Sequence, residues 1–141
     1  MEKYFVTYKQ ALALKELGFD EPCMGKYDTK QGDEWLINIY SGHLNTQFGD
    51  KNKACIAPLK SQVFEWARKE YGYWSYIKEA TKGTCRFYIE KFDEKFFNSD
   101  IIDSYEEAES ACIDKLIEII KTKTDEKDNT NNNNSNSRLH L

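Results

Sequence analysis

The chain has 141 residues, of which 40% are hydrophobic and 31% charged, and its formal net charge is −4. This length suits one domain, and interspersed acidic and basic residues exclude a general attraction to nucleic acid or to an anionic membrane. No apolar run is long enough to span a bilayer and the amino terminus has no signal-peptide core, so we expect a cytoplasmic protein with no membrane contact.

The first predicted helix begins at a capping box formed by Thr7 and Gln10. In this motif the threonine hydroxyl accepts a hydrogen bond from the glutamine backbone, and the glutamine side chain reaches back to the threonine backbone. Leu14 and Leu17 continue at helical spacing. Gly18 then stands where a left-handed residue commonly ends a helix.

A β-hairpin is predicted next. Residues 23–28 and 34–40 are its two strands, and the polar segment 29–33 is its turn. Residues 41–53 are polar and rich in glycine and asparagine, so we expect a loop there. A loop of this length is uncommon in a compact domain, and we expect it to be the mobile or functional one.

The central predicted helix covers residues 57–72, and the rest of the chain is arranged around it. Pro58 suits a first helical turn, and Gly72 suits the position just past the end. Val63 and Trp66 lie at helical spacing and are expected to bury one face.

A second hairpin is predicted from residues 73–80 and 84–92, with its turn at residues 81–83. Because strand side chains alternate between the two faces of a sheet, Cys85, Phe87 and Ile89 are expected to face the core. Arg86, Tyr88 and Glu90 are then expected to face outward.

The remaining chain is predicted to contain a connection, a helix and a tail. Residues 93–103 form the connection, and a second capping box at Ser104 and Glu107 begins helix three, whose apolar face reaches Ile120. The following asparagine-rich segment cannot bury enough apolar surface to order itself. We therefore predict an α+β fold of three helices and two antiparallel hairpins (α-ββ-α-ββ-α), with residues 1–123 as one domain and 124–141 as a disordered tail.

No catalytic motif is present, and we expect neither an enzyme nor a cofactor. The four cysteines lie far apart without a Cys-x-x-Cys pair, so they are interpreted as buried reduced side chains rather than metal ligands. His43 in the long loop, paired with Asp50 or Cys55, is an alternative acid–base or nucleophilic site. A solvated loop histidine is the simpler interpretation.

Nucleic-acid binding is an alternative that needs a local basic surface. The candidate residues for it are Lys60, Arg68, Lys69, Arg86 and Tyr88. A continuous basic face across Lys60, Arg68 and Arg86 would favour nucleic acid. An exposed patch containing Trp74, Tyr76 or Tyr88 would instead favour contact with a protein.

Three segments, residues 11–23, 57–66 and the helix from 104 to 120, resemble small uncharacterised proteins encoded by phages, prophages and mobile elements of Bacteroidetes bacteria. The resemblance covers most of residues 4–122. It implies a shared fold and genomic setting, and it carries no site residues. Aromatic residues make up 14% of the chain, a high share. This surplus and the resemblance lead us to expect a non-enzymatic accessory protein that contacts a host or phage protein.

Overall fold

The computed structural model describes residues 2–30, 33–38, 55–92 and 94–138. A 3₁₀ turn at Glu2–Tyr4 precedes the helices and strands, which form two antiparallel three-stranded sheets, β2-β1-β3 and β4-β5-β6. The predicted α+β class with three helices is therefore confirmed, and each predicted hairpin gains a third strand. The elements are, in chain order, α1 (Tyr8–Glu16), β1 (Gly25–Lys30), β2 (Asp33–Asn38), β3 (Cys55–Ala57), α2 (Lys60–Tyr71), β4 (Trp74–Thr81), β5 (Thr84–Lys91), β6 (Glu94–Asn98) and α3 (Tyr105–Arg138).

Helix α1 has the start and the end that its sequence predicts. The Thr7 N–H donates to Gln10 Oε1 at 2.9 Å, and the Gln10 N–H donates to Thr7 Oγ1 at 3.2 Å. Gly18 has a φ of +88°, and the Phe19 N–H donates to the carbonyl of Leu14 at 3.0 Å. Local capping chemistry therefore sets both ends of this helix.

The first sheet confirms the first hairpin and adds β3 on the other side of β1. Strand β3 was not predicted, because it has only three residues and Ala57 was assigned to the central helix. A glycine allows the N-terminal segment to pack against this sheet, since a Cβ on Gly25 would lie 2.6 Å from a ring carbon of Phe5. Residues 39–54, with the predicted loop, His43 and Asp50, lie outside the described residues.

Helix α2 begins at Lys60, later than predicted. Pro58 precedes it in the extended connection, and its carbonyl accepts a hydrogen bond from the Val6 N–H at 3.1 Å. The side chain of Gln62 caps the helix by accepting from the Leu59 N–H at 2.9 Å. Gly72 ends α2 with a left-handed φ of +76°, as predicted. Val63, Trp66 and Ala67 form its buried face.

The second sheet is the predicted second hairpin plus β6. Strand β5 lies in the middle, pairs with β4 along its length, and buries Cys85, Phe87 and Ile89 as predicted. Strand β6 falls within the segment predicted to be a connection, where Phe97 lies opposite Ile89. Phe97 packs against the core and so anchors this segment, whose conformation is a strand rather than the predicted connection.

Helix α3 is the central packing element of the domain. The Ser104 hydroxyl accepts from the Glu107 N–H at 3.2 Å, and the helix contacts α1, α2, β4 and β5. Contact on several sides explains its broad apolar face. The fully covered side chains are Ala108, Cys112, Ile113, Leu116 and Ile120.

A buried glutamine joins α1 to α3. Gln10 is almost fully covered, and its Nε2 donates to the carbonyl of Ser110 at 3.0 Å and to Asp114 Oδ1 at 2.9 Å. The same side chain accepts from Thr7, so both ends of its amide are hydrogen-bonded. One residue thus caps one helix and attaches it to another that is about a hundred positions away.

The segment predicted to be a tail is described as a continuation of α3 up to Arg138. Among the helix residues up to 132, whose side chains the structure describes, Ile120 is the last buried one. The side-chain hydroxyls of Thr124 and Thr130 donate hydrogen bonds to backbone carbonyls of the same helix. Helices in water are stabilised chiefly by packing, and asparagine is a weak helix former. Disorder of residues 124–141 in solution and the domain boundary at residue 123 therefore remain predictions.

Candidate functional site

Six side chains on the solvent side of strands β4 and β5 form what we call the outer face. They are Trp74, Tyr76 and Lys78 of β4, and Arg86, Tyr88 and Glu90 of β5. Strand alternation places them there, because the intervening residues of β5 fill the core. The register sets Trp74 opposite Glu90, Tyr76 opposite Tyr88, and Lys78 opposite Arg86.

Two tyrosine rings occupy the middle of the outer face. The rings of Tyr76 and Tyr88 are nearly parallel, with 4.8 Å between centroids and 14° between planes. The Tyr76 hydroxyl donates to Glu90 Oε1 at 2.9 Å, and this bond to a carboxylate raises the pKa of Tyr76. The stack is thus held in one orientation while 45% of Tyr76 stays exposed.

Trp74 extends the aromatic surface toward helix α2. Its side chain is 60% exposed, and the guanidinium carbon of Arg68 lies 5.1 Å from its ring centroid. This cation–π contact connects α2 with the sheet and limits the rotation of both side chains. Phe92, which follows β5, is 89% exposed. Since Trp74 pairs with Glu90, two positions before Phe92, the exposed aromatic residues gather toward one end of the hairpin.

The opposite end of the outer face is basic. Lys78 and Arg86 are cross-strand partners, and Lys82 is exposed in the turn that joins the strands. Glu79 lies nearby, but its carboxylate accepts a hydrogen bond from the Gly83 N–H at 3.1 Å. Among the described residues, Lys78, Lys82 and Arg86 form no ion pair. The outer face therefore runs from an aromatic end to a basic end.

The five residues proposed from the sequence for nucleic-acid binding are only partly brought together. Arg86 and Tyr88 lie on the outer face, and Arg68 reaches its edge through Trp74. Lys60 is only 7% exposed at the start of α2. Lys69 is exposed and forms an ion pair with Glu65 at 2.7 Å.

Lys60 is directed toward helix α3 rather than toward solvent. Its charge acts on Glu109, where burial raises the pKa of the carboxyl group and Lys60 opposes that rise. A continuous basic face across Lys60, Arg68 and Arg86 is therefore not formed. An exposed patch containing Trp74 and Tyr76, the feature expected to favour protein contact, is formed, and the half-buried Tyr88 ring lies beside it.

Lys78 and Phe92 were missed by the sequence analysis. Lys78 was detectable, because it alternates with Trp74 and Tyr76 along the predicted strand. Phe92 reads as an ordinary apolar end of a strand, so its exposure depends on where β5 stops in the folded sheet.

The cysteines do not contribute a reactive group to this surface. Cys23, Cys55, Cys85 and Cys112 are free and buried, as expected. Burial raises the pKa of Cys112 to about 12, which keeps its thiol protonated. Within the described ranges, no three His, Cys, Asp or Glu side chains are grouped so that they could hold a metal ion.

A comparison of the chain with protein-family models, with curated proteins and with solved structures finds no match in any of the three. Within the part of the chain that the structure describes, no helix combines the length and hydropathy that a membrane span requires.

Proposed function

We propose that this chain is a non-enzymatic binding module that contacts another protein through its outer face. The observation that carries the proposal is the fixed aromatic group in which Trp74 and Tyr76 are exposed and Tyr76 stacks on the half-buried Tyr88. A few residues carry most of the binding energy in protein interfaces, and tryptophan, tyrosine and arginine are enriched among them. The stack and the cation–π contact fix these side chains beforehand, which reduces the entropy lost on binding.

The resemblance to small phage and mobile-element proteins supports a host or phage protein as the partner. Such an accessory protein acts by occupying a surface of its target, and a rigid aromatic patch suits that role. No chemical step is required of the outer face.

The test is affinity capture of the tagged full chain from bacterial lysate, with and without nuclease, followed by mass spectrometry. We expect one protein to be retained after nuclease treatment by the wild-type chain. The double variant Trp74→Ser/Tyr76→Ser should then weaken binding of the purified partner about 30-fold, because interface hot spots contribute about 2 kcal/mol or more. Tyr4→Ser is the matched control, since Tyr4 is similarly exposed but lies in the N-terminal 3₁₀ turn.

Two results would refute the proposal. One is a captured protein that binds the double variant and the wild type equally well. The other is the absence of any protein retained specifically by the wild-type chain after nuclease treatment.

A nucleic-acid-binding accessory protein is the second candidate, and the Tyr76–Tyr88 stack next to Arg86 favours it. Bases of single strands stack on exposed rings while cations contact the phosphates. Capture that disappears with nuclease, together with binding of labelled oligothymidylate that weakens steeply with salt, would support this function. Because Lys60 is buried and Lys69 forms an ion pair, fewer cations are available to contact nucleic acid than the sequence indicates.

A further inference from the structure

Strand β4 is an edge strand, and its free edge adjoins the outer face. The order β4-β5-β6 gives it one neighbour, and the described residues supply no strand on its other side. Helices α2 and α3 both contact β4, and Ser75 and Ile77, on the side of the strand opposite the outer face, are half-buried. An open edge of this kind presents backbone N–H and C=O groups that another extended chain can pair with.

This edge carries little of the protection that exposed edges usually have. Strand β4 spans eight residues and contains no proline, and its only described irregularity lies between Glu79 and Thr81. Its first four residues, Trp74 to Ile77, are uncharged. Natural proteins commonly block edges with charges, prolines or bulges. The first half of β4 therefore remains suitable for pairing.

The charges beside this edge define the chemistry of a suitable strand. Lys78, Lys82 and Arg86 gather at one end without an ion-pair partner in the described chain. The nearby Glu79 carboxylate accepts a hydrogen bond from the Gly83 N–H, and the Glu90 carboxylate, beside Trp74, accepts one from the Tyr76 hydroxyl. Both keep their negative charge, because these donors are neutral. Three cations against Glu79 still leave this end net positive, so an incoming strand meets excess positive charge there and the exposed Trp74 ring at the other end.

We propose that β4 binds an extended acidic segment of a partner protein, which joins the sheet as a fourth strand. This inference rests on the proposed function and specifies the partner of the same surface. Trp74 and Lys78 lie on one face, four residues apart, which is about 13 Å at about 3.3 Å per residue. The segment thus carries an apolar or aromatic residue and an acidic residue four positions apart, in the order set by its direction along β4.

The first test is a selection of random displayed peptides on the immobilised full chain. Peptides enriched on the wild type should contain aspartate or glutamate four residues from an apolar side chain. The charge-reversed variant Lys78→Glu/Arg86→Glu should no longer bind these acidic peptides, because like charges on neighbouring strands are destabilising. It should select basic peptides instead. A urea unfolding curve shows that the variant is folded before it is used.

The second test distinguishes pairing with the edge from docking on the side chains alone. A strand that pairs on one side uses only alternate backbone amides. Two versions of the best peptide, each N-methylated at one alternate set of amides, should therefore differ. We expect one set to weaken binding more than tenfold and the other to leave it within about twofold, with the unmethylated peptide as the reference.

Several outcomes would overturn this inference. They are enrichment without acidic preference, no enrichment over the empty support, and equal effects of both methylation sets. Preferential binding of oligothymidylate would assign the surface to nucleic acid. Sedimentation of the free chain as a dimer that Lys78→Glu/Arg86→Glu dissociates would assign the edge to a second copy. If only this inference fails, Trp74→Ser/Tyr76→Ser still weakens binding of the captured protein about 30-fold, whereas failure of the proposed function leaves that binding unchanged.

Discussion

Replacing Gln10 by alanine removes the polar connection between α1 and α3, and its cost can be worked out from the contacts. The side chain makes a cap to Thr7, a bond to the Ser110 carbonyl and a bond to the Asp114 carboxylate. Each neutral bond contributes about 1 kcal/mol and the bond to a charged group about 1.5 kcal/mol. The loss of one buried methylene group adds about 0.8 kcal/mol to this cost. The side-chain entropy that alanine does not lose on folding reduces it by about 1.5 kcal/mol. We expect Gln10→Ala to lower the free energy of unfolding by about 3 kcal/mol.

Urea unfolding followed by circular dichroism measures this change, since a single domain of this size commonly unfolds in one step. Gln62→Ala is the matched control. Gln62 caps α2 in the same way and donates to the Pro22 carbonyl at 2.9 Å, but this hydrogen bond is exposed. We expect the control to cost about 1 kcal/mol, the usual contribution of a helix cap.

A double-mutant cycle tests the origin of the larger effect. Gln10→Ala combined with Asp114→Ala should give a coupling energy of about 1 kcal/mol, because the two side chains share a hydrogen bond. A coupling near zero, or a Gln10→Ala cost no larger than that of Gln62→Ala, would refute the assignment of α1–α3 attachment to this glutamine.

Three further predictions concern stability. The pKa of Cys112 is raised by burial from 9.0 to about 12. Above pH 9 the unfolded chain thus releases a proton that the folded chain keeps, and stability should fall by up to about 1.4 kcal/mol per pH unit between pH 9 and 12. Urea curves measured over this pH range would contradict this if Cys112→Ala lost stability with pH as steeply as the wild type. Gly25→Ala should lower the urea midpoint markedly, since the new Cβ would lie 2.9 Å from the Ala57 carbonyl oxygen and still closer to Phe5; an unchanged midpoint would argue against this close packing. A chain ending at residue 123 should keep the wild-type midpoint, because no described side chain of α3 beyond Ile120 is buried. A lower thermal midpoint in calorimetry would instead show that residues 124–141 stabilise the domain.

Features set by neighbouring residues were predictable from the sequence. Thr7 and Gln10 form their capping box, and Gly18 and Gly72 adopt the left-handed conformation, because each needs only a few adjacent residues. The alternation of β5 was equally local, and it correctly separated Phe87 from the exposed side of the strand.

Features that depend on distant partners were not predictable. The attachment of Gln10 to Ser110 and Asp114 requires α1 and α3 to be adjacent, and no sequence pattern states that. Lys60 looks like a solvated helix residue in the sequence, but it is buried in the folded chain. Strand β3 is too short to show a period and acquires its conformation by pairing with β1.

The outer face was predicted in part. Its orientation followed from strand alternation, whereas the roles of its residues depend on the register. Only the pairing of β4 with β5 sets Tyr76 against Tyr88 and Lys78 against Arg86. If β4 were shifted by one residue against β5, its side chains would exchange faces of the sheet. The alternation along a single strand does not reveal such a shift.

The position of α3 at the end of the packed domain has a consequence for synthesis of the chain. Both sheets are made of strands that are close in sequence, so each can pair soon after translation. Helix α1 can contact β3 once the first sheet has formed, but the side chain of Gln10 and the part of α1 that packs on α3 must wait for partners about a hundred residues downstream. During translation this part of α1 thus stays uncovered until α3 emerges, and in that interval a chaperone has access to it.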